Sequence, residues 1–341
     1  MNQRAVNDQR HRGLAGVAAG QVVFAAVFVF LLLSAFHRPA PHALPVGVVA
    51  TPAITRQLQI ALDAHEPGGF DLRSYPDAAH ARLAVIGGEA DGALVAAPGG
   101  LRLLTAGAGG IGPVQALTGA FDAVAAGTGQ RLSVVDVAPP LSGDSEAFSV
   151  FFVMLGVLFP SLVTGIASSL LPMGSPSGWR VGMLAAVAVV IGLVAAGIAD
   201  GVAGFGNYLA IAGIVALFSL AISAPTAALA RIKPAAAVVA FLVFVVFGIP
   251  ASGGPGALAA FAPGFVRVLD PALPLGVAVA ALRSAVYFHG HDAAGQLGIL
   301  AVWAAAGCGA LILLLFRQRS KRTASGHDES RPARQELPSA T

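Results

Sequence analysis

Hydrophobic positions fall into one run near the N-terminus, a mixed stretch over 37–146, and then five closely spaced apolar runs. A hydrocarbon core about 30 Å thick takes roughly 20 apolar residues as a helix. Gly13–Phe36 reaches that length without a charge. The later runs are Phe148–Leu171, Val181–Ala199, Tyr208–Ala230, Ala235–Ile249 (the short one) and Ala294–Phe316. They predict five more membrane helices. The expected fold class is therefore an α-helical integral membrane protein with six transmembrane helices and a small extracytoplasmic α/β domain. Its expected parts are a basic N-terminal tail (1–12), a first transmembrane helix (13–36), the α/β domain (37–146), a five-helix membrane bundle (147–316) with a re-entrant extracytoplasmic segment (250–292), and a disordered basic tail (317–341). A cleaved signal peptide would have a shorter apolar core, about 7–15 residues, ending at a small-x-small site. Here the run reaches Phe36 and meets His37-Arg38-Pro39, which favours an uncleaved anchor.

The mixed stretch alternates strand and helix signals. Leu44–Val49 is short, β-rich and bounded by prolines, as a buried strand would be. Thr51 and Pro52 open a helix through Ala64, with Ile54, Leu58 and Leu62 at helical spacing. Phe70–Tyr75 alternates as a strand, and Asp77 opens a second helix. Asp91–Ala97 and Leu101–Thr105 read as strands joined by a Pro-Gly-Gly turn at 98–100. Pro113–Ala126 is a third helix and Arg131–Val137 a last strand. Such alternation predicts a mixed sheet with helices packed on it.

Composition sharpens the picture. Hydrophobic residues make up 56% and charged residues 11%, against roughly 25% charged in soluble domains. Arg4, Arg10 and Arg12 precede the first run, and Arg317, Arg319, Lys321 and Arg322 follow the last. Arg180 and Arg231/Lys233 fall in two short connections. Because cytoplasmic loops carry the excess of Lys and Arg, both termini and these connections are expected inside, in a multi-pass protein of the plasma membrane. The net charge of +3 reads as orientation, with no nucleic-acid partner. The lone Cys308 excludes an intrachain disulfide.

Several motifs carry possible chemistry. Gly107-Ala-Gly109-Gly-Ile-Gly112 matches a dinucleotide fingerprint, and Asp136 ends the next strand. The chain re-enters the membrane soon afterwards, leaving no room for a second mononucleotide half, so no cofactor is expected. His289-Gly-His291-Asp292 could ligate a metal, but solvated loop residues explain it as well, and no metal is expected. Ser161, Gly165 and Ser169, with Gly192 and Ala196, recur at four-residue spacing, the pattern of close helix packing in lipid. The spans read as carrying no ionisable group, which argues against an ion-coupled transporter. There is no G-x-x-x-x-G-K-[ST], no G-x-S-x-G and no H-E-x-x-H, so neither an ATPase nor any other enzyme is expected, and no catalytic residue is assigned.

The segment between the last two runs is the more informative one. Phe247–Pro255 packs Gly and Pro too densely for a continuous helix. Ala257–Phe261 and Pro274–Tyr287 are apolar pieces too short to span, as in re-entrant or interfacial helices. The candidate gate comprises Gly253, Gly254, Pro255, Pro263, Asp270, Pro274 and Arg283, with Arg283 expected to pair with Asp270 or a lipid phosphate.

Leu44–Val49 before a helix, Gly88-Glu-Ala-Asp-Gly-Ala-Leu94, and the run Ala251-Ser-Gly-Gly254, Pro263-Gly-Phe265, Asp270-Pro-Ala-Leu-Pro274, Val277 and Leu282-Arg283 together resemble the type-2 ABC permeases, in particular the phage-infection-protein-like branch. Leu275-Gly276 departs from the Met-Thr of that pattern, and Pro255 follows the double glycine directly. The resemblance implies an exporter subunit that moves an amphipathic or lipid-like molecule outward. It implies a homo- or heterodimer in the membrane, contacts with membrane lipids and a separate cytoplasmic ATPase subunit. The alternative is a membrane-anchored surface receptor whose α/β domain captures a ligand without transport.

The charge pattern is tested by cysteine labelling in a Cys308→Ala background. A cysteine replacing Arg73 should label from outside, and one replacing Lys233 only after permeabilisation. The opposite pattern would reverse the topology.

Overall fold

The computed structural model describes residues 25–33, 40–171, 176–255, 259–262, 264–291 and 293–329. Five strands, β1 (Leu44–Val48), β2 (Phe70–Ser74), β3 (Gly92–Ala97), β4 (Gly100–Thr105) and β5 (Arg131–Asp136), form one sheet in the order β2-β1-β3-β4-β5. Only β3 and β4 run antiparallel, in a hairpin that pairs Ala97 with Gly100. Helix α1 (Pro52–Asp63) starts with proline at its first turn, where the missing N–H costs nothing. Helix α2 (Ala78–Ile86) is capped by Asp77, which accepts the His80 N–H at 2.9 Å. Helix α3 (Ile111–Thr128) ends at Gly129 in the left-handed region.

Period-two alternation sends neighbouring strand residues to opposite faces. Leu94 and Leu103 join Leu44, Val46, Phe70, Leu117 and Phe121 on one face, while Val95 and Leu104 join Ala81, Ala84, Val85 and Ala93 on the other. Each core also takes one aromatic from far along the chain: Phe261 on the first face and Phe288 on the second.

The rest is a helical bundle of α4 (Ser149–Ser169), α5 (Ser177–Ala203), α6 (Tyr208–Ile232), α7 (Pro234–Ala251), α8 (Pro274–Tyr287) and α9 (Ala293–Glu329). Five of these, all but α8, are long and apolar enough to cross a membrane. Phe152, Val163, Val194, Ile198 and Leu209 face outward from the bundle, the apolar exterior that a hydrocarbon solvent permits. Of the first apolar run, residues 25–33 are helical, and Leu31 packs with Val246, Ala251 and Leu273. The remainder of that expected span lies outside the described residues.

Helix α6 is the axis of the bundle, buried by α4, α5, α8 and α9. Small residues allow the approach. A Cβ at Gly192 of α5 would strike the Ala212 carbonyl, and one at Gly165 of α4 would lie 2.6 Å from the Ser223 carbonyl. Gly307 of α9 makes room for Pro225 within α6. Ser161 donates to Ser219 at 2.8 Å across the α4–α6 contact. The four-residue spacing of small side chains thus serves close packing. In α7, π-helical turns over Leu242–Phe247 precede Pro250. That proline lacks an N–H and crowds the carbonyl four residues back, and the wider turns absorb the mismatch.

Two expectations are corrected. Arg180 lies inside α5, only 1% exposed, and not in a connection, so the spans do carry a buried charge. It donates to the Ser168 and Leu171 carbonyls at 2.8 Å each, and Arg231 reaches Ser169 at 3.2 Å. Together they satisfy carbonyls that the end of α4 leaves without helical partners. At the other end of the bundle sequence, α9 continues to Glu329, so the first part of the tail expected to be disordered is helical. Its apolar stretch gives way to a polar one that extends the same rod.

Gly192→Ala should lower bundle stability by roughly 1–3 kcal/mol through overpacking. Gly182→Ala meets nothing within 4 Å and should be neutral or slightly stabilising. Thermal unfolding of both variants in detergent checks the contrast.

Candidate functional site: a polar cavity at the domain–bundle junction

After α7 the chain turns through Gly253 and Gly254, both buried and at φ +75 and +71. Two consecutive left-handed residues are strained for any side chain bearing a Cβ. Ser252 braces the turn, donating to Ile249 at 2.8 Å and accepting from the Gly254 N–H at 3.4 Å. Pro255 is half-buried beyond it, and Pro263 lies outside the described residues. Of the apolar piece expected over 257–261, the described part is a single 3₁₀ turn, Ala259–Phe261, which delivers Phe261 to the domain core. His42 meets the Ala260 carbonyl at 3.1 Å. Another short turn, Asp270–Ala272, leads to Pro274 at the first position of α8, and Trp303 of α9 holds that turn by donating to the Ala272 carbonyl at 2.8 Å.

Gly276 sits directly against the Asp270 side chain. A Cβ there would overlap the Asp270 Oδ1. The carboxylate occupies the notch that the missing Cβ leaves.

Helix α8 then attaches the domain at three points. Arg283, 6% exposed, donates through Nη1 to the Gly109 carbonyl at 3.0 Å. Tyr287 donates to Asp144 Oδ2 at 2.6 Å, while Asp144 Oδ1 accepts the N–H groups of Phe148 and Ser149 at the start of α4. Phe288 packs against Gly88 inside the second domain core. Of the two partners expected for Arg283, Asp270 is the one corrected. The guanidinium's hydrogen bond goes to the domain backbone, and no ion pair with Asp270 forms.

A cavity of about 340 Å³ lies at this joint, bounded by Asp91 and Gly109 of the domain, Ser252 and Asp270 of the connecting segment, Arg283 of α8 and Gln296 of α9. Several of its lining residues keep unmet polar atoms. Arg283 Nε and Nη2, Asp270 Oδ1 and Gln296 Oε1 are buried without a hydrogen-bond partner, a condition that native structures seldom leave uncompensated. Burial pushes the Asp91 carboxyl up to about 7, and the Arg283 and Arg73 guanidiniums only partly offset that effect. No ion pair joins Asp91 to Arg283.

Of the sequence-derived residues, Asp270 and Arg283 line the cavity. Gly253, Gly254, Pro255 and Pro274 shape the backbone beside it. Asp91, Ser252 and Gln296 carry no motif of their own. In the sequence Asp91 marks only the start of a strand. The fingerprint loop proves to be an internal joint: Asp136 Oδ1 accepts the N–H groups of Gly107 and Ala138 at 3.1 Å each, and Gly109 serves Arg283. His289 is exposed, and His291 turns back onto the Phe288 carbonyl at 2.9 Å. Among the described residues no group of three His, Cys, Asp or Glu could hold a metal, and Asp292 lies outside them.

No family model, curated protein or solved structure matches the chain.

Two outcomes follow from this geometry. Gly276→Ala should destabilise the protein by about 1–3 kcal/mol, and Asp270→Ala in the same chain should recover most of the loss, because the clash is with that carboxylate. A folded-state carboxyl raised above its unfolded value of about 3.9 costs stability as pH climbs from about 4 to 7, and the full cost remains above that. Asp91→Asn should therefore raise the melting temperature more at pH 8 than at pH 5. An equal gain at both would place no ionisation cost at this carboxyl.

Proposed function

We propose that the chain is a multi-pass membrane permease subunit of export type, with the α/β domain on the outer face and both termini cytoplasmic. The observation that carries this reading is the joint at α8. The α/β domain is bonded to a short helix lying between two membrane-length helices, with a half-open cavity lined by charged side chains where the two parts meet. A ligand held there touches the domain, the connecting segment and the bundle at once. Binding outside and rearrangement of helices are then one event, as a pump for amphipathic or lipid-like molecules requires. The distribution of Lys and Arg supports the orientation, and the ordered run of family-like segments supports the type-2 ABC class. With no phosphate-binding loop in its sequence, the subunit would draw energy from a separate cytoplasmic ATPase, working as a homo- or heterodimer among membrane lipids.

A surface-receptor reading has one observation in its favour. The core of the bundle among the described residues is closely packed around α6, whereas the polar cavity sits at the joint with the domain. In that reading the helices anchor and sense, without moving the ligand.

Purification from native membranes under mild detergent separates the two. The permease reading expects an ATPase polypeptide to co-purify and to hydrolyse ATP only in the complex, the isolated chain showing no turnover above a contaminant control. Gly254→Leu, forced into a left-handed turn, should leave insertion intact and abolish substrate-stimulated turnover. A chain that purifies alone, with binding but no partner, would move the assignment to the receptor.

A further inference from the structure

The cavity wall carries both signs of charge, and they are not spent on each other. Arg283 uses Nη1 on the Gly109 carbonyl, and its Nε and Nη2 are buried and unpartnered. Asp270 keeps a buried, unpartnered oxygen, and Asp91 forms neither a side-chain hydrogen bond nor an ion pair among the described residues. A desolvated guanidinium with empty donors is costly unless an acceptor meets it, and an empty carboxylate is costly in the same way. A bare anion would satisfy the first and be repelled by the second. A metal cation would face the guanidinium and would lack a converging ligand set. The occupant that answers both carries an anionic and a cationic group on one small frame. The volume, about 340 Å³, lies at the low end of the roughly 300–1,000 Å³ range of small-molecule sites.

We infer that this cavity binds a small zwitterion, its carboxylate or phosphate on Arg283 and its ammonium between Asp91 and Asp270. The bidentate fork of arginine suits either anion. Asp91, whose carboxyl burial pushes up to about 7, gains a counter-charge when the ammonium arrives. Val279 and Phe288 supply apolar surface for the frame between the two charges. The zwitterion could be a free molecule or the headgroup of a lipid reaching in from the bilayer. The inference deepens the cavity's role in the proposed function and holds for both permease and receptor. Its failure is distinguishable from theirs, because its test measures binding and not transport or partnership.

The test uses the full chain in nanodiscs of phosphatidylglycerol, which carries no ammonium, with O-phosphoethanolamine and serine as probes, and ethanolamine and inorganic phosphate as half-probes. Calorimetry should show saturable binding of at least one zwitterion, tighter than either half-probe by roughly tenfold or more. Asp270→Asn, whose carboxylate makes no hydrogen bond to lose, should stay folded and weaken that zwitterion by roughly tenfold or more. Arg283→Lys should bind at an intermediate level. In nanodiscs containing phosphatidylethanolamine, loss of apparent probe affinity identifies the headgroup as the occupant, and unchanged affinity identifies a free zwitterion. No binding by the folded wild type would overturn the inference and leave ordered water as the cavity's filling. Phosphate alone binding as tightly as the zwitterion, or undiminished binding by a folded Asp270→Asn, would overturn it equally.

Discussion

The hydrogen bond from Arg283 to the Gly109 carbonyl ties the two halves of this molecule together. It is made by a buried guanidinium, 6% exposed, on a helix too short to cross a bilayer. An α/β domain and an apolar bundle have different solvents, so a flexible tether between them would be the cheap solution. Here the chain closes the joint instead. Phe261 enters the core on one face of the sheet and Phe288 the core on the other, so the segment between α7 and α9 grips the domain from both sides. Tyr287 adds a bond to the carboxylate that caps α4. Domain position is thus set by α8, by the segments on either side of it and by the start of α4.

The same closure explains where polarity is concentrated. Within the bundle, polar side chains are mostly spent locally, the Ser223 hydroxyl being an exception. Ser161 meets Ser219, Thr226 bonds the Ile222 carbonyl in its own helix, and Arg180 and Arg231 close the open end of α4. At the joint they are not. The two aromatics interlock the parts on either side, and between them the carboxylates and the guanidinium form no ion pair. That gap is the cavity.

Much of the fold is legible in the sequence because its signals are local. Leu44–Val48 is a strand because β-branched and apolar residues sit between prolines, and Asp77 caps α2 in the manner that its place before an apolar run predicts. The breakers at Gly253 and Gly254 announce a turn, and the positive φ angles there show why only glycine serves. Arg283 was harder. Its identity marks a costly charge, but its partner lies 174 residues away on a backbone carbonyl that no side-chain pattern reports. Asp91 was harder still, since a single acid at a strand edge is ordinary until a second element covers it. Gly276 is one small residue at the start of a helix in the sequence, and only the folded position of Asp270 shows what it makes room for. Local propensity is visible along the chain, whereas the joint is made of contacts between segments far apart in it.

The account stands on the domain and α8 moving as one body. Spin labels at Ile60 on the domain and Leu209 at the start of α6, both on exposed side chains, report this directly by pulsed dipolar spectroscopy in nanodiscs, in a Cys308→Ala background. A closed joint gives a narrow distance distribution that broadens in Phe288→Ala. A distribution already broad in the parent chain, or one that Phe288→Ala leaves unchanged, would show a tethered domain and contradict the closed joint.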